Sequence, residues 1–321
     1  MNLDLVSDVL RAVRLDGAYF YKVVASDPWW VESSSARAEL AGVLPQSEHL
    51  ISYHVVVEGE CFGGVPSGPL HAMRGGDVIV FPGGGRQYMG SQREKVTAMT
   101  SVVMPQSARL PFEVRMGGGG SSTTFVCGYL GCDLRPFNPL ISSLPEVLVV
   151  HGEQRGWLSA FAQHALAEAA HGRAGGELVV TRLAELMFIE VLRRHVESLP
   201  ADGTGWFAGL RDEIVGRALE LLHGFPARDW SLEELARESS CSRSVLAERF
   251  ARLMGEPPMQ YLARWRMQLA AQTLRNSAAK VHAVAREVGY ESEAAFSRAF
   301  KRLVGVSPAS WARAGRTDNA V

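Results

Sequence analysis

The sequence predicts an α+β chain of several domains: a small antiparallel β-domain, then a helical middle, then an all-helical end built from two helix-turn-helix units. Three observations predict it. Residues 1–150 are rich in glycine and β-branched residues, and their short apolar runs at 50–57, 77–81, 96–104 and 123–130 are separated by turn clusters such as Gly83-Gly84-Gly85, the pattern of short strands joined by tight turns. Residues 154–171 and 177–196 switch to a helical period. From about residue 208 the chain reads as helices joined by short turns, and one segment of it is repeated. With 321 residues, 47% of them hydrophobic, the chain is long enough for separate cores.

The elements follow in order. The β-domain occupies 1–150. A helical segment occupies 151–198, where Leu183, Leu186, Ile189, Val191 and Leu192 form an apolar stripe. The composition of Ser198–Gly205 (SLPADGTG) is that of a linker, which sets a connecting stretch at 199–211 before the helical end at 212–316.

The repeat carries the functional reading. Leu235–Pro258 and Val284–Pro308 match with one extra residue in the second copy's turn. Ala236-Arg237-Glu238 pairs with Ala285-Arg286-Glu287. Beyond the turn, Ser242, Phe250, Arg252, Leu253, Gly255 and Pro258 pair with Ser292, Phe300, Arg302, Leu303, Gly305 and Pro308. Two copies make a duplicated module rather than a solenoid. In the first copy Ser231 and Glu234 form a capping box before Leu232, Leu235 and Ala236, and the chain turns at Ser239-Ser240-Cys241 and restarts at Ser242. In the second, Val281, Val284, Ala285 and Val288 precede a Gly289-Tyr290 turn, and Ser292 is placed to cap the next helix. Each copy is helix, tight turn, helix, an architecture whose second helix can enter a major groove. Between them Pro258 opens a helix running to about Asn276, with Leu262, Trp265 and Leu269 on one face and Arg264, Arg266 and Arg275 on others. At 1.5 Å per residue that rod is roughly 28 Å long, near the ~34 Å turn of B-DNA.

Charge supports the same partner. The formal net charge is −1, but residues 240–316 hold 13 Lys/Arg against 5 Asp/Glu. A basic arm on an otherwise acidic chain suits a polyanion. A plain helical bundle accounts for the apolar stripes but not for duplication and charge together. The four cysteines show no paired zinc spacing, and the N-terminus carries Asp4, Asp8, Arg11 and Asp16 in an amphipathic pattern rather than a secretory signal. No run has the length of a membrane span. The expectation is a cytoplasmic protein with no membrane partner.

The stretch Ala285-Arg286-Glu287-Val288-Gly289-Tyr290-Glu291-Ser292, with Phe296, Arg298-Ala299-Phe300-Lys301, Gly305 and Ser307-Pro308, resembles the AraC/XylS family of transcription activators, and the likeness spans about 212–313. The resemblance implies that Ser242–Leu253 and Ser292–Leu303 are recognition helices. It places Ser244, Ala247 and Glu248 of the first, and Ala294, Ala295 and Arg298 of the second, where family members contact bases. Arginine reads guanine bidentately, while Arg243, Arg249, Lys301 and Arg302 suit phosphates. Ser292 sits at the head of the second recognition helix. Short or acidic residues on the first helix predict weaker base readout there. Near the end Ala312 follows Trp311, where the family often has an arginine.

In the N-terminal part, SYHVVVEGE (with His54 and Glu58) and GDVIVFPGG (with Gly76, Pro82 and Gly84) resemble the two motifs of a cupin β-barrel. The resemblance implies a cupin-like sensor barrel at 1–150 followed by dimerisation helices at 151–198. The positions matching a cupin metal set are Ser52, His54, Glu58 and Gln87, and two of these are poor ligands. The expectation is therefore no metal, no cofactor and no enzyme. Trp29, Trp30 and Tyr53, with His54, Glu58 and Gln87, are candidates for an effector pocket; the aromatics would equally serve as a barrel plug. The stretch VCGYLGCDLRPFNPLISSLPEVL resembles a subgroup of AraC-like regulators, some of which respond to oxidants, which makes Cys127 a candidate redox sensor beside the alternative of a buried core thiol. The implied partners are promoter DNA, RNA polymerase, a small-molecule effector or oxidant, and a second copy of the chain.

Overall fold

Alternating apolar residues build two facing sheets. The computed structural model describes residues 4–13, 15–33, 44, 47–94, 113–152, 156–171, 174–200 and 203–318; the apolar run at 96–104 lies outside them. Six strands run in the order β10-β6-β3-β9-β1-β8: β1 Leu15–Ser26, β3 His49–Glu58, β6 Val78–Phe81, β8 Glu113–Gly117, β9 Ser122–Cys132 and β10 Leu148–Val150. Four more run β2-β7-β4-β5: β2 Trp30–Ser33, β4 Glu60–Gly64, β5 His71–Arg74 and β7 Gln87–Gly90. Tyr21, Val23, Val31, Cys61, Met73, Ile79, Met89 and Phe125 interleave from both sheets in one core. The expected all-antiparallel pairing is corrected at one edge. There β8 runs parallel to β1, from Lys22 opposite Glu113 to Ser26 opposite Gly117, and alternation alone carries no information about strand direction.

Two helices complete this unit, α3 Trp157–His171 and α4 Gly176–Ser198. The face of α4 that is buried is Val180, Ala184, Met187, Phe188, Val191 and Leu192. Leu186, expected in the stripe, is exposed, as are Leu178 and Val179.

The second unit is not contiguous in sequence. It joins Met1–Arg14 and Leu134–Ser143 to Leu199–Val321, while Leu15–Asp133 and Leu144–Ser198 form the β-unit. A division at 150 and 212 therefore differs from the packing. Helix α1 (Leu5–Ala12) and the short α2 (Pro139–Ser142) lie with the C-terminal helices: α5 Trp206–Arg211, α6 Glu213–Gly224, α7 Leu232–Glu238, α8 Arg243–Met254, α9 Pro258–Asn276, α10 Val281–Glu287, α11 Glu293–Val304 and α12 Pro308–Asp318. The linker expected at 199–211 ends early because Trp206 and Phe207 are buried and the Trp206 indole N–H donates to the Tyr261 hydroxyl at 3.0 Å. Among the described residues no helix is long and apolar enough to cross a membrane.

A buried glutamine bonds both early segments to the helices of this unit. The Gln268 side chain, on α9, accepts from the Phe137 N–H at 3.0 Å and donates to the Ala12 carbonyl at 2.8 Å. Gln272 donates to the Arg11 carbonyl at 2.8 Å. The Arg264 guanidinium lies over the Phe137 ring, 4.0 Å from its centroid, and bonds Glu256. Arg266 donates to the carbonyls of Pro226, Arg228 and Gly289, and Arg275 lies over Trp311. The arginines of α9 are struts within the unit.

Candidate nucleic-acid interface and barrel cavity

The two helix-turn-helix units share the hydrogen bond of their turn and the cap and stop of their second helix. In the first turn the Cys241 N–H donates to the Ala236 carbonyl at 3.0 Å; in the second Tyr290 donates to Ala285 at 2.8 Å. Both turns need one left-handed residue, Ser240 with φ 56° and Gly289 with φ 83°. At Gly289 a Cβ would stand 2.5 Å from the Ala227 carbonyl oxygen, so only glycine fits. The additional residue of the second copy, Glu291, falls between the turn and the cap. Ser242 and Ser292 then cap α8 and α11, accepting from the N–H groups of Val245 and Ala295, and left-handed Gly255 and Gly305 end both helices. Leu246 and Phe250 of α8, and Phe296 and Phe300 of α11, are buried, which turns the opposite faces outward.

Those outer faces differ. On α8, Ser244 and Glu248 are exposed and Ala247 is half-buried. Arg243 pairs with Glu233 at 3.0 Å. Arg249 is turned inward: its Nε and terminal nitrogen both reach Asp212 at 2.7 Å, the residue that also caps α6. The expected phosphate role of Arg249 is thus displaced by a tie between α8 and α6. On α11, Ala294 is exposed and Ala295 half-buried, and Arg298, Lys301 and Arg302 are exposed, with no ion pair holding any of the three among the described residues.

In the β-unit, strands β1, β2, β3, β7, β8 and β9 together with Trp29 line a small cavity of about 30 Å³, partly open to solvent. Its wall is mostly apolar, with Tyr21, Val23, Trp29, Met89, Phe125 and Tyr129, and also carries Ser33 and the pair His54 and Cys127. Behind the pair runs a buried chain. Ser52 Oγ donates to Gln87 Oε1 at 2.7 Å, Gln87 Nε2 donates to His54 Nε2 at 3.2 Å, and His54 Nδ1 meets Cys127 Sγ at 2.8 Å. With Gln87 donating to Nε2, the ring proton sits on Nδ1 and points at the sulfur. Burial lowers the His54 pKa to about 4 and pushes the Cys127 thiol well above its usual range, against a lowering hydrogen bond from Tyr21. At neutral pH both groups are uncharged.

The sequence matches the Cupin family over residues 4–197 and the Helix-turn-helix domain family over residues 235–314. It is 31% identical over 321 residues to an AraC-like transcription regulator of Streptomyces antibioticus, covering 96% of this chain and 98% of that one. The chain belongs to the AraC-like transcription regulators. A regulator of the same description from Streptomyces lividans is 38% identical over 210 residues, 64% of this chain and 68% of that one. Among solved structures, the DNA-binding domain of AdpA, a global transcriptional factor in complex with a target DNA, is 30% identical over 33% of this chain and 95% of that one, with a TM-score of 0.32.

As an AraC-like regulator the chain is a DNA-binding protein of transcription regulation, with a cupin domain ahead of its helix-turn-helix domain. Of the pocket residues expected from sequence, the structure puts Trp29 and His54 on the cavity wall, brings Gln87 to His54 together with Ser52, and leaves out Trp30, Tyr53 and Glu58. Glu58 is exposed beyond an irregularity at the end of β3. Tyr53 points to the opposite face of β3 from His54, buried, its hydroxyl without a partner among the described residues. Trp30 packs against Tyr88, ring centroids 5.7 Å apart, away from the cavity; its neighbour Trp29 lines the wall instead. Sequence reasoning also passed over Val245, 43% exposed on α8. Its signal was available: Leu246, Phe250 and Leu253 complete the buried face of that helix, so an adjacent valine has no core position to fill.

Proposed function

We propose that this regulator reads an operator with α8 and α11 in successive major grooves and responds to a small molecule held in its barrel. The observation that carries the DNA reading is the pair of helix-turn-helix units with matching turns and capped second helices, one of which offers three exposed cations, Arg298, Lys301 and Arg302, on one helix. Arg298 is assigned to a guanine edge, with Ala294 and Ala295 allowing close approach; Lys301 and Arg302 are assigned to phosphates. On α8 the readers are Ser244, Val245, Ala247 and Glu248, suited to a thymine methyl and a cytosine amine, and Arg243 is a backbone contact once it leaves Glu233.

The effector reading rests on the match to the Cupin family over residues 4–197, with the small cavity beside His54 and Cys127 as the place in the barrel where a molecule could begin to enter. In sequence, β1 and β9 adjoin the segments that Gln268 holds: β1 begins at Leu15, three residues after Ala12, and β9 ends at Cys132, five residues before Phe137. A molecule that binds two states of the barrel unequally would shift their populations. The burial that keeps Cys127 protonated works against the thiolate that oxidant sensing needs, so a non-covalent ligand is the favoured signal. The exposed Leu178, Val179 and Leu186 of α4 support a second copy as the partner of that helix. We assign the barrel no reaction, and place the protein in the cytoplasm as an activator touching RNA polymerase.

A salt titration on one operator separates the assigned cations. Lys301→Ala is expected to reduce the slope of log affinity against log salt by about 1. Arg249→Ala should leave the slope unchanged and lower stability by about 1–2 kcal/mol through the lost partner of Asp212. Equal slopes for wild type and Lys301→Ala would remove the phosphate assignment.

A further inference from the structure

The two second helices differ in how they are held. Arg249 stands one residue before Phe250 on α8, and the matching position before Phe300 on α11 is Ala299. The Nε and a terminal nitrogen of Arg249 both reach Asp212 Oδ2 at 2.7 Å, while Asp212 Oδ1 accepts from the N–H groups of Ile214 and Val215 at 3.1 and 3.0 Å. One carboxylate thus closes the corner between α5 and α6 and grips α8. The other end of α5 grips the same helix, since the Gly205 N–H donates to the Leu253 carbonyl at 2.8 Å. Arg249 and Leu253 are four residues apart, one above the other on a single face of α8. Helix α5 is a splint fixed to α8 at two points.

The readers assigned to α8 explain why it needs one. Ser244, Val245 and Ala247 are short, so they cannot follow a displaced base by changing rotamer as the long Arg298 of α11 can, and contacts of this kind weaken steeply with small shifts. Burial of Leu246, Phe250 and Leu253 holds α8 against the unit, but apolar burial is non-directional and fixes rotation about the helix axis weakly. A two-point, charge-assisted bond fixes it. The Asp212 side chain is 10% exposed, which leaves the bond little screened by salt.

We propose that Arg249, through Asp212, is a positioning residue for base readout by the first recognition helix, setting the rotation of α8 in the groove without touching DNA. This rests on α8 being a reader of the operator.

The test is competition binding of the full-length protein to an operator whose base pairs are altered one at a time in each of two protected segments. Arg298→Ala marks the segment read by α11, so the other belongs to α8. The variants are Arg249→Ala and Asp212→Asn; the second keeps the Oδ1 cap of α6 and turns an amide NH2 toward the guanidinium, donor against donor. In the wild type an altered base pair in the α8 segment is expected to cost about 5- to 150-fold in affinity. Both variants should reduce that penalty about fivefold or more, and the double variant no further than either alone, with penalties in the α11 segment unchanged. Arg249→Lys, which keeps the charge without the planar fork, should recover part of the loss. Penalties in the α8 segment that stay at the wild-type value, with or without a uniform drop in affinity, would overturn the proposal. So would penalties lost in both segments, loss of all binding in both variants, or a salt slope lowered by about 1 in Arg249→Ala, the mark of a phosphate contact. A wild type that discriminates at no position of the α8 segment would instead overturn α8 as a reader, and the proposal with it.

Discussion

Arg298→Ala is expected to weaken binding to a specific operator by a factor of about 10–100, while affinity for random-sequence DNA falls only as the loss of one charge requires. A bidentate arginine–guanine pair is worth about 1–3 kcal/mol of discrimination, and a phosphate contact discriminates nothing. The position is set by the helix: Ser292 caps α11, Phe296 and Phe300 bury one face, and Arg298 stands exposed on the other. The equivalent position on α8 holds Glu248, so the first unit cannot compensate. Competition binding against scrambled DNA measures both numbers. A variant that loses specific and random binding in equal proportion would show Arg298 to be a backbone contact.

Gln268→Met should release α1 and the Leu134–Ser143 segment from the helical unit. The substitution keeps the volume and removes both hydrogen bonds, leaving the buried Phe137 N–H and the Ala12 carbonyl unpaired. At about 1–3 kcal/mol for each orphaned group, the loss is roughly 2–6 kcal/mol. Hydrogen exchange read by mass spectrometry is expected to speed up about 30- to 20,000-fold in the peptides spanning α1 and Phe137, with the core peptides of α8 and α11 unchanged. Unaltered protection at Phe137 would mean that the contacts of Arg264 and Tyr261 with its ring suffice to hold the segment.

The helix-turn-helix units were legible because each step of their construction is local. Caps at Ser231, Ser242 and Ser292, the left-handed Gly289, the stop at Gly255 and Gly305 and the restart at Pro258 and Pro308 all act within a few residues of themselves, and duplication displays them twice. The partnership of Arg249 with Asp212 is not local: the same arginine pattern suits a phosphate or a strut, and only the packing of α8 near the start of α6 decides. The same holds for Arg264 and Arg266. In the barrel, period-two alternation places Ser52 and His54 on one face and Tyr53 on the other, yet it cannot say which face meets a cavity. Trp29 and Trp30 are adjacent and chemically identical, and one step along the chain exchanges a wall residue for one buried against Tyr88. Gln268 carried no signal at all, since a glutamine on an amphipathic helix is ordinarily solvated; its partners lie more than a hundred residues away in sequence.

The central claim is that two recognition helices, separated by the 19-residue α9, read two adjacent major grooves. Its most direct test is a base-resolution footprint of the full-length protein on an operator recovered from genome-wide binding. The account predicts two protected major-groove segments about 10 base pairs apart on one face of the duplex, with guanine protection in one of them lost in Arg298→Ala. A single protected segment, or protection that follows no sequence at any site, would contradict it.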